Sequence, residues 1–346
     1  MKKIAAIDLF CGAGGLTRGL LDAGIDVICG IDADEKCSLT YESNNIRKNG
    51  EPVKYIRRNI KDISGDYINQ LFSGSDADYF MLAGCAPCQP FSRKNIKKKN
   101  DGRVNLLSEF GRLIKETEPD FIFMENVPEI EKIHKKTLHN FKSILKKMDY
   151  FSKAKVVNAK DYGIPQNRKR YILLGSRPWE IDIIEPVCNL NTGYVTVRDA
   201  IGNAEKLPPI KAGESHSLIL NHKAMGLSDL NLKRIRYTPA DGGGRKDWPY
   251  ELVLECHKKT SGHSDSYGRM KWDNPAPTLT TKFYSISNGR YGHPEQNRAI
   301  SLKEGALIQS FHYSYIFYGN MQEIARQIGN AVPPKLAKEI NTAFIR

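Results

Sequence analysis

The sequence lacks the long apolar run that a transmembrane helix requires, because charged residues interrupt every hydrophobic stretch well before that length. Its basic start is followed by a short apolar stretch that Asp8 ends, which is too short for the core of a secretory signal peptide. These absences exclude the membrane-spanning and secreted classes. We therefore expect a soluble, cytoplasmic protein that does not bind membranes.

Cysteine is scarce, since the 346 residues include only seven, an odd number spread from Cys11 to Cys256. This usage excludes a disulfide framework. Cys85 and Cys88 form one Cys-x-x-Cys pair, but no second Cys or His pair stands at zinc-ligand spacing, so we expect no metal. A redox role for the pair stays open, although it does not explain the residues that follow Cys88.

Acidic residues are outnumbered, with 39 Asp and Glu against 52 Lys and Arg, which gives a formal net charge of +13. This imbalance favours an anionic partner, and nucleic acid is the leading candidate. The alternative is a basic cytosolic protein without such a partner. The chain is long enough for one large domain or two moderate ones.

Short strand-like and helical stretches alternate through about residue 180, which predicts an α/β fold with a doubly wound, mostly parallel sheet. Beyond that point, prolines and the glycine run 242–244 replace helical periodicity. We predict one domain over residues 1–185 plus 320–346. A second, smaller, irregular and β-rich domain is predicted over residues 186–319.

Several chemically suited residues fall where predicted strands end, which is where doubly wound sheets bind ligands. The glycine-rich turn 11–15 follows the first strand and lets backbone approach a ligand at a helix N-terminus. Asp32 ends the second strand, and its carboxylate suits the two hydroxyls of a ribose. The pair fits a nucleoside cofactor, either NAD or S-adenosylmethionine.

Cys88 follows one predicted strand and Glu125 ends the next, which places a thiolate nucleophile and a proton donor in one cleft. This combination suits chemistry on a cytosine ring, since the thiolate adds to C6 while the acid neutralises the charge that develops on N3. The addition makes C5 electron-rich enough to attack an electrophilic methyl group. An ordinary strand-end carboxylate is the alternative interpretation of Glu125.

Five runs of sequence resemble, in order, motifs I, IV, VI, VIII and X of the DNA (cytosine-5) methyltransferases of bacterial restriction–modification systems. They are residues 8–16, 87–92, 125–127, 166–170 and 329–333. The resemblance implies an S-adenosylmethionine-dependent enzyme that flips a cytosine out of a specific double-stranded DNA sequence and methylates its C5. The alternatives are the tRNA-methylating branch, which keeps the same motifs, and a catalytically inactive nucleic-acid-binding relative.

The resemblance implies a role for each matching catalytic residue. Cys88 is the implied nucleophile, and Glu125 binds N3 and the exocyclic amine of cytosine. Asn126 holds the Glu125 loop against the cysteine loop. Arg170 contacts the cytosine O2, whereas Arg168 contacts nearby backbone or phosphate.

The resemblance also implies a cofactor site, in which Asp32 binds the ribose, Ala33 and Ile60 flank the adenine, and Asn330 with Val332 closes the methionine end. The whole implied set is Phe10, Gly12, Gly14, Gly15, Leu16, Asp32, Ala33, Asn59, Ile60, Pro87, Leu106, Asn330 and Val332. Asn59 stands where the family usually has aspartate for the adenine amine, and another register places Asp62 there instead.

A lysine-rich segment follows the nucleophile, and we interpret it as a DNA-clamping loop rather than an ordinary solvated one. The predicted DNA contacts are Gln89, Ser92, Arg93, Lys97, Lys98, Lys99 and Arg103. Residues 186–275 lack family motifs and are predicted to choose the DNA sequence within a target-recognition domain. The side chains there of a type that reads bases are Arg234, Arg236, Arg245, Trp248 and Arg269. For any single one of them the preferred interpretation is contact with phosphate or packing within the small domain, so the prediction concerns the segment. We expect a monomer whose companion restriction endonuclease, where one exists, is a functional and not a physical partner.

Overall fold

The computed structural model describes residues 2–87, 106–189, 191–258 and 264–345. Its contacts divide the chain into two compact units. Unit 1 is Met1–Asn158, Lys169–Pro186 and Val332–Arg346, and unit 2 is Ala159–Arg168 and Val187–Ala331. Compared with the predicted domains, unit 2 also takes in Ala159–Arg168 and residues 320–331. The reason is that Arg168 donates hydrogen bonds to the carbonyls of Leu279, Gly329 and Ala331.

Unit 1 contains a seven-stranded, mostly parallel sheet, which confirms the predicted fold. The strands along the chain are Ile4–Leu9 (β1), Asp26–Asp32 (β2), Lys54–Arg57 (β3), Tyr79–Gly84 (β4), Phe121–Asn126 (β5), Phe151–Asn158 (β6), Gln166–Asn167 (β7), Lys169–Ser176 (β8) and Ala276–Pro277 (β9). The sheet order is β3-β2-β1-β4-β5-β8-β6. β8 runs antiparallel to both β5 and β6, and the other neighbours are parallel.

Helices cover both faces of this sheet. Alternate residues of a strand point to opposite faces, so each face carries side chains that pack against a helix. Ile7 and Leu9 of β1 lie in one apolar cluster with Phe110. Asp8 lies between them in the chain and bonds instead to Thr17 on the opposite face. The helices are Gly15–Ala23 (α1), Ser38–Asn44 (α2), Gly65–Ser73 (α3), Leu106–Thr117 (α4), Ile130–Ile133 (α5), Lys135–Lys147 (α6), Val197–Ile201 (α7), Asp229–Tyr237 (α8), Glu255–Lys258 (α9), Leu302–Ile308 (α10), Met321–Asn330 (α11) and Pro334–Asn341 (α12). Among the residues described, no helix combines the length and apolarity needed to cross a bilayer.

Unit 2 is irregular, as predicted, but the prediction of a β-rich domain needs correction. The described part of this unit holds only the two-residue strands β7 and β9, which pair in parallel, and helices α7 to α11. Where a sheet would supply hydrogen bonds to backbone carbonyls, buried polar side chains supply them here. Arg269 is 2% exposed and donates to the carbonyls of Ile235, Thr238, His293 and Gln296.

This use of Arg269 agrees with the interpretation that such a residue packs the small domain. Trp248 is buried as well, and its indole N–H donates to the hydroxyl of Thr238. Arg234 donates its Nε to the carbonyl of Leu252 and lies over the ring of Trp248. These three side chains stabilise unit 2, whereas Arg236 lies exposed on α8.

A charged cluster lies in the interior of unit 2. Arg298 and Glu304 form a two-bond ion pair, each bond 2.7 Å long, and the side chains are 0% and 1% exposed. Burial acts to raise the pKa of Glu304, but Arg298 outweighs it and holds that pKa at about 2. His293 Nε2 lies 3.7 Å from the same carboxylate, yet burial lowers the pKa of His293 to about 4.

Asp8, whose pKa burial raises to about 7, favours the folded chain as the pH falls below 7. His293 and Glu304 act in the opposite direction, and we expect them to lower the free energy of unfolding as the pH drops below about 6.5. Both groups have depressed pKa values in the folded chain, so the unfolded chain takes up protons first. The His293 contribution, on the order of 3 kcal/mol, is present above pH 6.5 and is lost as the pH falls to about 4. The Glu304 contribution is lost lower, between its ordinary pKa of 4.5 and about 2. Urea unfolding of the whole chain at pH 7, 6 and 5 measures the combined slope, and His293→Asn is expected to remove the His293 part, so that the variant loses less stability on acidification than the wild type. An unchanged slope in that variant contradicts the assignment.

Candidate active site and cofactor site

The turn between β1 and α1 brings backbone amides against the end of β2. Phe10, Gly12 and Gly14 all adopt left-handed φ angles, which lets the chain reverse tightly before the helix begins. The Gly12 amide donates to Asp32 Oδ2 at 2.9 Å, and the Asp34 amide donates to Oδ1 at 2.9 Å. Each carboxylate oxygen keeps a further lone pair, so Asp32 can still accept hydrogen bonds from two ribose hydroxyls.

A buried polar cluster lies between β1, α1 and α2. Thr17 donates its hydroxyl hydrogen to Asp8 Oδ2 at 2.7 Å, and its oxygen lies 2.8 Å from the hydroxyl of Tyr41. Burial raises the pKa of Asp8 to about 7, and Oδ1 has no hydrogen-bond partner among the residues that the structure describes. The sequence pattern predicts that Asp8 ends an apolar stretch but does not predict this cluster. The contact between Thr17 and Tyr41, 24 residues apart, is visible only in the structure.

A shallow cavity beyond β2 and β3 contains the candidate adenine residues. Ala33, Asn59 and Asp62 line it together with Arg57 and Arg58. The side-chain oxygen of Asn59 accepts from the Lys61 amide at 3.1 Å and thereby caps a short 3₁₀ turn. Both alternatives for the adenine amine therefore face the same cavity.

At the end of β5, Glu125 and Arg170 form a close ion pair. Arg170 Nε lies 2.6 Å from Glu125 Oε1, and the two side chains are 12% and 9% exposed. The next residue, Asn126, donates its Nδ2 to the carbonyl of Ala86 at 3.0 Å. This bond ties the Glu125 loop to the chain that leads into Cys88, which itself lies outside the described residues.

Cys85 lies at the start of that same loop. Burial raises the pKa of its thiol well above the ordinary value, and the nearby carboxylates of Glu125 and Asp8 add to this effect. Since the thiolate is the nucleophilic form, Cys85 is poorly suited to attack at neutral pH. This fits the interpretation of Cys85 as a structural strand-end residue.

Arg168 contacts backbone in the structure. Its side chain is 2% exposed, and Nη1 donates to the Leu279 carbonyl at 3.0 Å. Nη2 donates to the carbonyls of Gly329 and Ala331 at 3.0 and 3.2 Å. Of the two contacts expected, backbone or phosphate, these are backbone contacts, and they connect separate segments of unit 2.

The family of C-5 cytosine-specific DNA methylases matches residues 4–346. The chain belongs to this family. It is 44% identical to the Type II methylase M.HgiDII of Herpetosiphon aurantiacus, over 99% of this chain and 95% of that protein. It is 34% identical to the Type II methyltransferase M1.HphI of Haemophilus parahaemolyticus, over 99% of this chain and 87% of that protein. It is thus a DNA (cytosine-5) methyltransferase, and the family and fold imply the use of S-adenosylmethionine.

The fold of this methyltransferase is shared by solved structures of low sequence identity. The methyltransferase EhMeth of Entamoeba histolytica superposes with a TM-score of 0.67 at 19% identity, covering 99% of this chain and 98% of that one. The Dnmt2 methyltransferase of S. pombe superposes with a TM-score of 0.61 at 16% identity, covering 99% and 98%. At these identities the likeness concerns the fold alone.

The remaining predicted residues of the methyltransferase occupy varied positions. Phe10 and Leu106 are partly buried and pack against the same apolar cluster that contains Ile60. Leu16 and Val332 are buried in unit 1, Pro87 is exposed, and Asn330 is exposed at the end of α11 in unit 2. The predicted sites that lie outside the described residues are Cys88, Gln89, Ser92, Arg93, Lys97, Lys98, Lys99 and Arg103.

Proposed function

We propose that this enzyme methylates C5 of cytosine within a specific sequence of double-stranded DNA, by flipping the base and adding Cys88 to its C6. The observation that carries the proposal is the buried Glu125–Arg170 pair, which Asn126 ties to the cysteine loop. The pair supplies an acid and a fixed cation for one small ring, and the loop supplies the nucleophile. The match to a family of DNA methylases supports DNA as the substrate, and the two relatives described above are named as Type II enzymes.

The residues of unit 1 fit S-adenosylmethionine, which supplies an electrophilic methyl group when bound. Asp32 offers carboxylate lone pairs to the ribose, and its backbone partner Gly12 keeps it in place. Ala33 and either Asn59 or Asp62 offer a cavity for the adenine. In unit 2, Asn330 is proposed for the methionine end, with Val332 following it in the chain.

The chain's own residues then carry the proposed steps. The Cys88 thiolate forms a bond to C6, and a proton passes from Glu125 to N3 of the ring. Glu125 takes up that proton from solvent when the base binds, is left as a carboxylate paired with Arg170, and takes the proton back from N3 when the ring is restored. Arg170 is engaged through Nε with Glu125 and through one Nη1 hydrogen with the Lys169 carbonyl. The proposed contact with the cytosine O2 uses one of its other Nη hydrogens. After methylation, a base removes the C5 proton and the Cys88–C6 bond breaks, which restores the aromatic ring. Flipping the base costs on the order of a few kcal/mol.

Contacts with DNA are proposed to offset that cost. The segment from Gln89 to Arg103 supplies cations to phosphates, and exposed residues of unit 2 such as Arg236 read the sequence. The enzyme acts as a monomer in the cytoplasm, with a restriction endonuclease as its functional companion.

Bisulfite sequencing of DNA and tRNA from an unmethylated host that expresses the enzyme tests this proposal. We expect protected cytosines at one DNA sequence in cells with the wild type and at none in cells with Cys88→Ser. Protection confined to tRNA overturns the DNA assignment in favour of the tRNA-methylating alternative. Protection that persists with Cys88→Ser overturns the mechanism.

A further inference from the structure

The last carbonyl groups of a helix such as α11 have no N–H donor within the helix. Two buried side chains donate hydrogen bonds to those at its C-terminal end. Gln309 Nε2 donates to the Ile328 carbonyl at 3.1 Å and to the Ala331 carbonyl at 2.7 Å. Arg168 binds the Gly329 and Ala331 carbonyls from a second direction. The backbone is thus held directly before and directly after Asn330.

Gln309 is in turn oriented by a second buried glutamine. Gln166 Nε2 donates to Gln309 Oε1 at 2.5 Å, and Gln166 Oε1 accepts from the Leu279 amide at 3.0 Å. Both glutamines are 0% exposed. All these hydrogen bonds therefore have the same direction. The Leu279 amide donates to Gln166, Gln166 donates to Gln309, and Gln309 donates to the α11 carbonyls. This direction fixes the Gln309 amide with its nitrogen facing the α11 carbonyls.

Close packing fixes the same segment on another side. A Cβ atom at Gly329 would lie 2.5 Å from the carbonyl oxygen of Thr280, so the backbone can approach only because no side chain intervenes. Asn330 itself is exposed, although Ile328 and Gly329 before it are buried. An exposed amide side chain is therefore presented from a backbone whose neighbouring carbonyls are held by Gln309 and Arg168.

We propose that Gln309 is a positioning residue for the cofactor, which sets the backbone of residues 328–331 and thereby aims Asn330 at S-adenosylmethionine. This inference rests on the proposed function, in which Asn330 binds the methionine end. Without the Gln309 donor, two buried carbonyls lose a partner and the segment relaxes to recover hydrogen bonds. The effect falls on cofactor affinity, because Cys88 and Glu125 lie on other segments.

The test compares Gln309→Met with a matched control on α11. Gln327 is also buried, and it donates its Nε2 to the Tyr318 carbonyl at 3.0 Å. Gln327→Met therefore removes a similar hydrogen bond, but one that does not hold the backbone next to Asn330. Calorimetric titration with S-adenosylhomocysteine gives Kd, and initial rates give kcat and the KM values for both substrates. For Gln309→Met we expect Kd and the cofactor KM to rise about tenfold, with kcat at saturation within about twofold of wild type. Gln327→Met is expected to lower Tm and leave Kd unchanged.

A Gln309→Met variant that loses stability but binds S-adenosylhomocysteine like the wild type overturns the proposal, and so does an equal loss of affinity in both variants. If Gln309→Met does not fold, Gln166→Met replaces it, because it removes the bond that orients Gln309 and leaves the Gln309 amide in place. We expect that variant to raise Kd about threefold, and an unchanged Kd overturns the proposal. A failure of the proposed function is distinguishable, since it appears in the wild type as an absence of S-adenosylhomocysteine binding or of DNA methylation.

Discussion

A DNA duplex with 5-fluorocytosine at the target position is expected to form a denaturation-resistant complex with the wild type and with Cys85→Ser, but none with Cys88→Ser. Fluorine cannot leave C5 as a proton does, so the final elimination is blocked and the enzyme stays bonded to C6. The measurement is a shifted band on a denaturing gel after incubation with S-adenosylmethionine. Methyl transfer to ordinary DNA is expected to fall below detection in Cys88→Ser.

The two cysteines make a matched pair because they are three residues apart on one loop. Burial and two neighbouring carboxylates raise the pKa of the Cys85 thiol and keep it protonated. A thiol must ionise to attack C6, so this environment favours Cys88 over Cys85 as the nucleophile that we propose. A complex trapped by Cys88→Ser and lost in Cys85→Ser reverses the assignment.

The strand-end residues were predictable from sequence because their positions depend on local patterns. Asp32 and Glu125 each close a short apolar run, and a mostly parallel sheet gathers such ends at one edge. The glycine-rich turn after β1 is equally local, since its left-handed φ angles favour glycine at the positions of Gly12 and Gly14.

The arginines could not be assigned in this way. Arg168 and Arg170 are two residues apart and chemically identical, yet one binds backbone and the other binds Glu125. The carbonyl partners of Arg168 lie 111 to 163 residues away in sequence, so no local pattern shows which arginine turns inward. Arg269 has the same character, because its residue type suits guanine recognition while its burial commits it to the scaffold of unit 2.

Replacement of Arg170 by leucine is expected to destabilise the protein by about 3–5 kcal/mol and to reduce kcat at least about 100-fold. The loss of stability arises because the Glu125 carboxylate, whose side chain is only 9% exposed, then remains buried without its paired cation. Glu125→Gln is expected to reduce kcat about 100- to 10,000-fold, since the proton at N3 is lost, with a smaller effect on stability. Urea unfolding and single-turnover methyl transfer measure the two effects separately.

The double variant Glu125→Gln/Arg170→Leu separates the buried charge from the chemistry. It removes both charges, so it should recover much of the stability that Arg170→Leu alone loses, while activity stays absent. Arg177→Leu is the control, because Arg177 pairs with Glu118 at 3.0 Å on the surface, where the side chains are 40% and 60% exposed and the pair contributes little. If the double variant is as unstable as Arg170→Leu, the arginine stabilises the fold through packing and not through the Glu125 charge. If either single variant keeps wild-type kcat, the pair is not part of the catalytic machinery, and the acid that acts at N3 must come from another residue.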